Sequence, residues 1–318
     1  MVVEKGVASL GRKRRRKGLP IHGWLAVNKD VGFSSAHVVA KVLRITNAAK
    51  GGHGGTLDPF SEGLLPIGLG EATKTMGMVL EGDKSYRCWV RFGAETDSGD
   101  LTGKFLFQGR DIPEREAIEV ALPRFMGTIM QVPPAHSALH VDGKRAYELV
   151  RSGQEVNLPP REVVVHGITL ESYDQGMAIL AVDCGKGTYM RALARDLGRH
   201  LGCGAYLERL SRTRTLGFSL DQAVTLDELA QAVEQDRLQK VLYPLDRVLD
   251  DIPVLRLGME AWRQICHGQA VWMKTDELPE GMVRLQTPEG ITGAIGKLTV
   301  QTNPQGLRLI HPKRVFQI

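Results

Sequence analysis

The 318-residue sequence contains no run of about 18 apolar residues, so no bilayer-spanning helix is expected. Its basic first residues lack the apolar h-region of a secretory signal, and the expectation is a cytoplasmic protein. Cysteine is scarce. Four residues, Cys88, Cys184, Cys203 and Cys266, stand far apart with no C-x-x-C, which argues against both a disulfide framework and a zinc ribbon. Cys266-His267 is adjacent rather than metal-spaced and reads as the end of a helix. A P-loop is missing, and Gly68-Leu69-Gly70 lacks the third glycine of a dinucleotide fingerprint, so no nucleotide cofactor is implied. Internal repeats are absent as well.

With 42% apolar residues the chain can build a sizeable core, and its length suits two domains of roughly 150 residues each. The net charge of +5 is unevenly spread: residues 1–20 hold seven basic residues and one acid, leaving a balance of −1 on the rest. The run Arg12-Lys13-Arg14-Arg15-Arg16-Lys17 repels itself and has nothing apolar to fold around, so residues 1–22 are expected to form a disordered basic tail. Such a tail could add phosphate contacts or be simply solvated.

The chain is organised around residues 51–74. Gly51, Gly52, Gly54 and Gly55 flank His53 and lead into Thr56-Leu57-Asp58-Pro59, and an apolar segment follows. Glycines permit positive φ or close backbone approach, and Pro59 biases Asp58 toward extended geometry, which suits a presented nucleophile or base. An Asx-type turn is the bland reading of the same residues.

The run G-H-x-G-T-L-D-P-x-x-x-G-x-L-P resembles the signature of the tRNA pseudouridine synthase B family, uridine isomerases of the TψC arm. Further similarity lies in Gly32-Phe33-Ser34-Ser35, Lys84-Ser85-Tyr86, Val132-Pro133-Pro134, Gly143-Lys144-Arg145-Ala146-Tyr147 and Gly187-Thr188-Tyr189-Met190-Arg191, covering roughly residues 23–250. The resemblance implies Asp58 as the catalytic carboxylate, Arg191 as its partner, and Tyr86 as the aromatic that stacks on the base and is a candidate to accept the C5 proton. His53 would stack in place of extruded nucleotides and Leu210 would floor the site. Lys74, Lys144, Arg145 and Tyr189 complete the expected substrate contacts. A cation beside Asp58 is expected to lower its pKa, typically by about 1–3 units. The partner implied is the TψC stem-loop of tRNA, with no cofactor, no metal, no membrane and no protein partner, and a monomer is expected.

The pattern and the resemblance together imply an α/β (α+β) fold: a catalytic domain over 23–250 with a mixed, largely antiparallel sheet and flanking helices, then a small β-rich domain over 251–318. By family position the latter is PUA-like and RNA-binding. Residues 24–27 read as a buried strand, and Ser34 or Ser35 as the cap of the next helix. Tyr86, Cys88, Val90 and Phe92 alternate with Arg87, Trp89 and Arg91 in the clearest strand of the chain. The acidic loop 93–100 reads as solvated. Residues 112–126 read as a helix, and about 131–161 as a basic, irregular RNA-gripping insertion that includes Tyr147 and Arg151; His136 and His140 there depart from the family's aromatic and Lys. A helix from about 188 carries Leu193, Leu197 and Leu201 inward and Arg191, Arg195 and Arg199 on a second face, of the kind that is usually solvated, although the helix start after Gly185-Lys186-Gly187 could point Arg191 into a cleft. Thr225 to Glu228 form a capping box for a helix to about 242.

Two other classes stay open on these residues. One is a non-catalytic RNA-binding or tRNA-folding protein using the same groove. The other is a glycoside hydrolase, which needs a second acid about 5–9.5 Å from the first, and no second acid stands in a comparable motif.

Overall fold

Four consecutive apolar residues at 24–27 have to be covered on both faces of a sheet. In the computed structural model they lie in β1 (Gly23–Lys29), antiparallel to β3 (Glu62–Leu69), which also pairs with the short β2 (Gly51–His53). The structure describes residues 18–317 apart from 138–139, 142, 147–148, 150–151, 155 and 276–277, and describes only the backbone of 140, 141, 144 and 145. Most of the expected basic tail, together with Tyr147 and Arg151, therefore lies outside the described residues.

The alternating segment forms β4 (Lys84–Phe92), which pairs with β12 (Ala205–Thr215) on one side and β11 (Met177–Cys184) on the other. β11 pairs in turn with β10 (Arg161–Asp174), and β10 with the edge strand β7 (Gly127–Gln131). The sheet order is β1-β3-β12-β4-β11-β10-β7, with the two-residue β13 (Phe218–Ser219) also on β12, and β3 with β12 is its parallel pair. That pair is close: a Cβ on Gly63, at φ +97°, would sit 2.5 Å from the Arg212 carbonyl oxygen, so only glycine fits. The face bearing Cys88, Val90 and Phe92 is packed by Leu193 and Leu197 of α4 (Met190–His200) and by Ile118 of α3 (Arg115–Ala121).

α1 (Ser35–Thr46) and α5 (Leu226–Glu234) cover the β1–β3 end, and the short α2 (Met76–Glu81) precedes β4. Ser34 caps α1 by accepting from the His37 N–H at 3.2 Å. The capping box at Thr225 is present, but α5 stops at Glu234 rather than near 242: Asp236 takes φ +54°, and only a 3₁₀ turn follows. Likewise α3 ends at Ala121, because Pro123 starts a 3₁₀ turn directly after it.

The second sheet, β14-β16-β17-β18-β15, comprises β14 (Val254–Arg256), β15 (Val271–Met273), β16 (Gly281–Gln286), β17 (Thr292–Thr302) and β18 (Arg308–Val315), with α6 (Met259–Cys266) against it. Ile295 and Phe316 pack with Trp24 and Leu245, so the two sheets share an apolar contact. β14 and β15 escape the sequence pattern because three-residue strands have no readable period.

The acidic loop departs from expectation. Glu95–Thr96 form β5, paired with β6 (Phe105–Phe107), and Glu95, Thr96, Ser98 and Asp100 are all buried. The arginine stripe is divided: Arg191 is buried, Arg195 is half-buried, and Arg199 stays exposed while its guanidinium binds the buried carboxylate of Glu95.

One side chain ties α1 to the central loop. Buried Ser35 Oγ accepts from the Leu57 N–H at 2.8 Å and donates to the Leu57 carbonyl at 3.0 Å, fixing the residue before Asp58. Ser35→Ala leaves both backbone groups unpaired and is expected to cost about 2 kcal/mol. A urea midpoint equal to wild type would show that the clamp carries no stability.

Candidate active site

Asp58 is held from both sides. Leu57 is clamped by Ser35, and the Pro59 carbonyl accepts from the Gly32 N–H at 2.7 Å. The Asp58 side chain keeps 36% of its surface open, whereas its partner Arg191 keeps 4%. Arg191 sits in the first turn of α4, so the helix start delivers its guanidinium under the loop. Nη2 lies 2.9 Å from Asp58 Oδ2 and donates to the His136 carbonyl at 2.8 Å; Nη1 lies 3.4 Å from Asp100 Oδ2 and donates to the Ser98 carbonyl at 3.1 Å.

This sharing alters the electrostatics expected from sequence. Burial pushes the Asp58 carboxyl up, Arg191 pulls it down, the Asp100 carboxylate pushes it up again and Lys29 pulls it down. The net direction is above the ordinary carboxylate value, which corrects the expected lowering. Two carboxylates divide one cation, and the remaining attraction does not offset desolvation.

A cavity of about 320 Å³ opens beside the pair, lined by Asp58, Tyr86, Tyr189, Arg191 and Leu210 among others. That volume lies at the low end of the roughly 300–1,000 Å³ usual for small-ligand pockets, which suits one nucleoside rather than a helix segment. Tyr86 comes from the inward face of β4, and Leu210 from β12 beside it. Burial raises the Tyr86 phenol above its ordinary value, with Arg212 pulling the other way.

Two of the other expected residues, His53 and Lys74, lie elsewhere. His53 is in β2, outside the cavity wall, and burial followed by Arg212 lowers its pKa and favours the neutral ring. Lys74 is also outside: its ammonium pairs with Glu71 at 2.6 Å and donates to the Val315 carbonyl at 2.7 Å, so it joins the two sheets rather than facing substrate. Lys144 and Arg145 form a two-residue strand, β9, with β8 (His140–Val141).

Sequence reasoning passed over several groups that the fold brings here. Arg212, 1% exposed, lines the cavity and donates to the carbonyls of Leu64 at 2.8 Å and Gly55 at 3.1 Å. Lys84 also lines it, with its ammonium on the Leu80 carbonyl at 2.6 Å and on that of Gly82. Fully buried Lys29 donates to the carbonyls of Asp30 and Phe33, and burial lowers its pKa to about 8 despite the Asp58 charge. A cation among apolar strand residues was the available signal for Lys29. Asp100 had none, since it shares its loop with other acids. It does not line the cavity, so it supplies no second carboxylate for the glycosidase reading. Among the described residues no group of three or more His, Cys, Asp or Glu could hold a metal ion.

Gln131, 1% exposed, sits behind the site. Its side-chain amide donates to the Tyr189 carbonyl at 3.1 Å and accepts from the Tyr189 N–H at 2.8 Å, copying a neighbouring strand at the residue that caps α4. Gln131→Leu is expected to lose about 2–3 kcal/mol, because it strands both groups. It is also expected to slow single-turnover conversion by displacing Arg191. Gln131→Glu keeps the acceptor but sets a carboxylate against the carbonyl, and should do little better. Unchanged unfolding and turnover in both variants would remove Gln131 from the site's support.

Residues 43–190 match the N-terminal domain model of the TruB family pseudouridylate synthases, and residues 191–250 match the C-terminal domain model of tRNA pseudouridylate synthase B. The tRNA pseudouridine synthase B of Rhodopseudomonas palustris is 40% identical over 314 residues, covering 96% of this chain and 84% of its own. That of Caulobacter vibrioides is 38% identical over 309 residues, covering 96% and 99%. Among solved structures, a chain of a Cbf5-Nop10-Gar1 complex superposes with a TM-score of 0.72 at 26% identity, covering 93% of this chain and 85% of that one. A chain of an H/ACA RNP bound to a substrate RNA containing 2′-deoxyuridine gives 0.71 at 23% identity, covering 98% and 93%, and shares the fold. Two adjoining domain models and near-40% identity along almost the whole chain agree: this protein belongs to the TruB family of pseudouridylate synthases.

Proposed function

We propose that this chain isomerises uridine to pseudouridine at position 55 in the TψC arm of tRNA. The observation that carries the reading is Asp58 at the cavity wall, 2.9 Å from the buried Arg191 guanidinium, with Tyr86 and Leu210 lining the same cavity. A base inside a folded arm must leave its stack to reach such a cavity, at a cost of about a few kcal/mol, and Tyr86 supplies a ring for the displaced base.

The reaction breaks the bond from N1 to the sugar C1′, turns the base and joins C5 to C1′. The C5 proton then leaves and N1 is protonated, so atoms balance without an oxidant. Ionised Asp58 serves either as nucleophile at the sugar or as the base that starts the sugar chemistry. Arg191 orients it through the Nη2 contact at 2.9 Å, and Arg212 and Lys84 keep the wall positive for an RNA phosphate. A non-catalytic RNA-binding protein would have no use for a partly open carboxylate held by a buried cation.

In this reading residues 23–250 are the catalytic unit, 131–161 its RNA-gripping insertion, and 251–318 a PUA-like RNA-binding domain. The protein works as a monomer in the cytoplasm, where its substrate resides. No helix among the described residues is long and apolar enough to cross a membrane.

Incubation with unmodified tRNA and chemical mapping of pseudouridine tests the assignment. Asp58→Asn is expected to abolish conversion while tRNA binding stays within about tenfold, roughly 1.4 kcal/mol; full activity in that variant would sink the assignment.

The pH profile follows from the sign of the Asp58 shift. The ionised form is required and its pKa is raised, so the acid limb should lie above the ordinary Asp value of about 3.9. Asp100→Asn removes a like charge and leaves Arg191 to Asp58 alone, moving the limb to lower pH. Arg191→Gln moves it to higher pH. Single-turnover rates across pH check both, and a limb that ignores either change would mean that Asp58 does not govern it.

A further inference from the structure

α1 carries a stripe that the catalytic reading leaves unused. At about 100° per residue, His37, Lys41 and Arg44 fall within an arc of about 60°, roughly 140° from the centre of the buried side chains Ser35, Val38, Val39, Val42 and Thr46. The stripe therefore faces away from the core, with His37 and Arg44 exposed and Lys41 half-buried against the Phe33 ring. It continues into the preceding loop, where the Phe33 ring stacks on His37 with centroids 5.1 Å apart at 14°, and Lys41 Nζ lies 4.0 Å from the Phe33 centroid.

The ionic state of this face sets it apart from the outer face of the main sheet. There, Arg87 pairs with Glu171, Arg91 with Glu208 and Arg209 with Glu62, so the charge is locally neutralised. α1 holds no acid at all, and among the described residues neither Lys41 nor Arg44 has a carboxylate partner. Exposed Ala36 and Ala40 beside the stripe leave it open to close approach.

Position supplies the occupant. The Phe33 end of the stripe is joined to the Asp58 loop through the Gly32 N–H on the Pro59 carbonyl and through Ser35 on Leu57. Lys41 and Arg44, three residues apart, rise about 4.5 Å along the axis on one face, so a chain of anions leaving the cavity mouth meets them in succession. Resting on the tRNA-modifying reading above, we propose that the Phe33–His37–Lys41–Arg44 stripe is an accessory RNA track, with Lys41 and Arg44 on successive phosphates and the Phe33–His37 pair against a nucleotide. An acidic protein partner would use the charges but not the stacked rings.

The test compares wild type, Lys41→Gln/Arg44→Gln and the paired-arginine control Arg87→Gln/Arg91→Gln on unmodified tRNA over a range of salt. The stripe variant is expected to raise KM about tenfold at physiological salt, with the loss falling on KM rather than kcat. The slope of log affinity against log salt should become shallower by about 1.4–1.8, because two phosphate contacts release fewer counterions. The charge-keeping exchange Lys41→Arg/Arg44→Lys should restore the wild-type slope, which separates lost contacts from a misfolded helix. The control should match wild type. An unchanged slope and KM in the stripe variant, or an equal change in the control, overturns the proposal. Wild type that binds tRNA with this salt pattern but makes no pseudouridine would instead overturn the catalytic reading and leave the track standing.

Discussion

The guanidinium of Arg191 is the group on which the site depends. A cation with 4% of its surface exposed must be compensated, and here the compensation comes from separate segments: Asp58 in the central loop, Ser98 and Asp100 in the acidic loop, and His136 in the segment after β7. Each segment is aligned because the same charge needs all of them. Withdrawal of any one would leave either a buried cation short of partners or a carboxylate without its counterion.

Sharing that charge keeps the carboxylate poised. A guanidinium committed to Asp58 alone would hold it firmly ionised and weakly basic. Divided with Asp100, it orients Asp58 while burial holds the carboxyl above its ordinary value. The surrounding wall is cationic through Arg212 and Lys84, and each spends donors on backbone carbonyls of the same shell. The charges thus brace the loops around the cavity as well as setting its field.

Part of this was legible in the chain. Asp58, Tyr86, Tyr189, Arg191 and Leu210, picked out from motifs far apart in sequence, line one cavity. The strand alternation at 86–92, the capping box at Thr225 and the Ser34 cap are local effects, and local chemistry is readable. Lys74 was not: its place in a long motif suggests substrate, but its neighbours Glu71 and the Val315 carbonyl come from folding the second sheet against the first. The acidic loop misleads for the same reason. Acids are usually solvated, and only the approach of Arg191 and Arg199 makes burying Asp100 and Glu95 tolerable.

The sequence by itself determined which residues could be chemically active and how each would sit on its own element, because motif identity, glycine and proline positions and side-chain period depend on a few neighbours. Tertiary structure alone decided the company those residues keep. Asp100 became the second claimant on Arg191, Gln131 became the clamp on Tyr189, and Arg212 became a buried wall cation through pairings across tens of residues. Burial and charge–charge distance are properties of the packed sheet and not of any segment, which is why the direction of the Asp58 shift could be known only once the strands were in register.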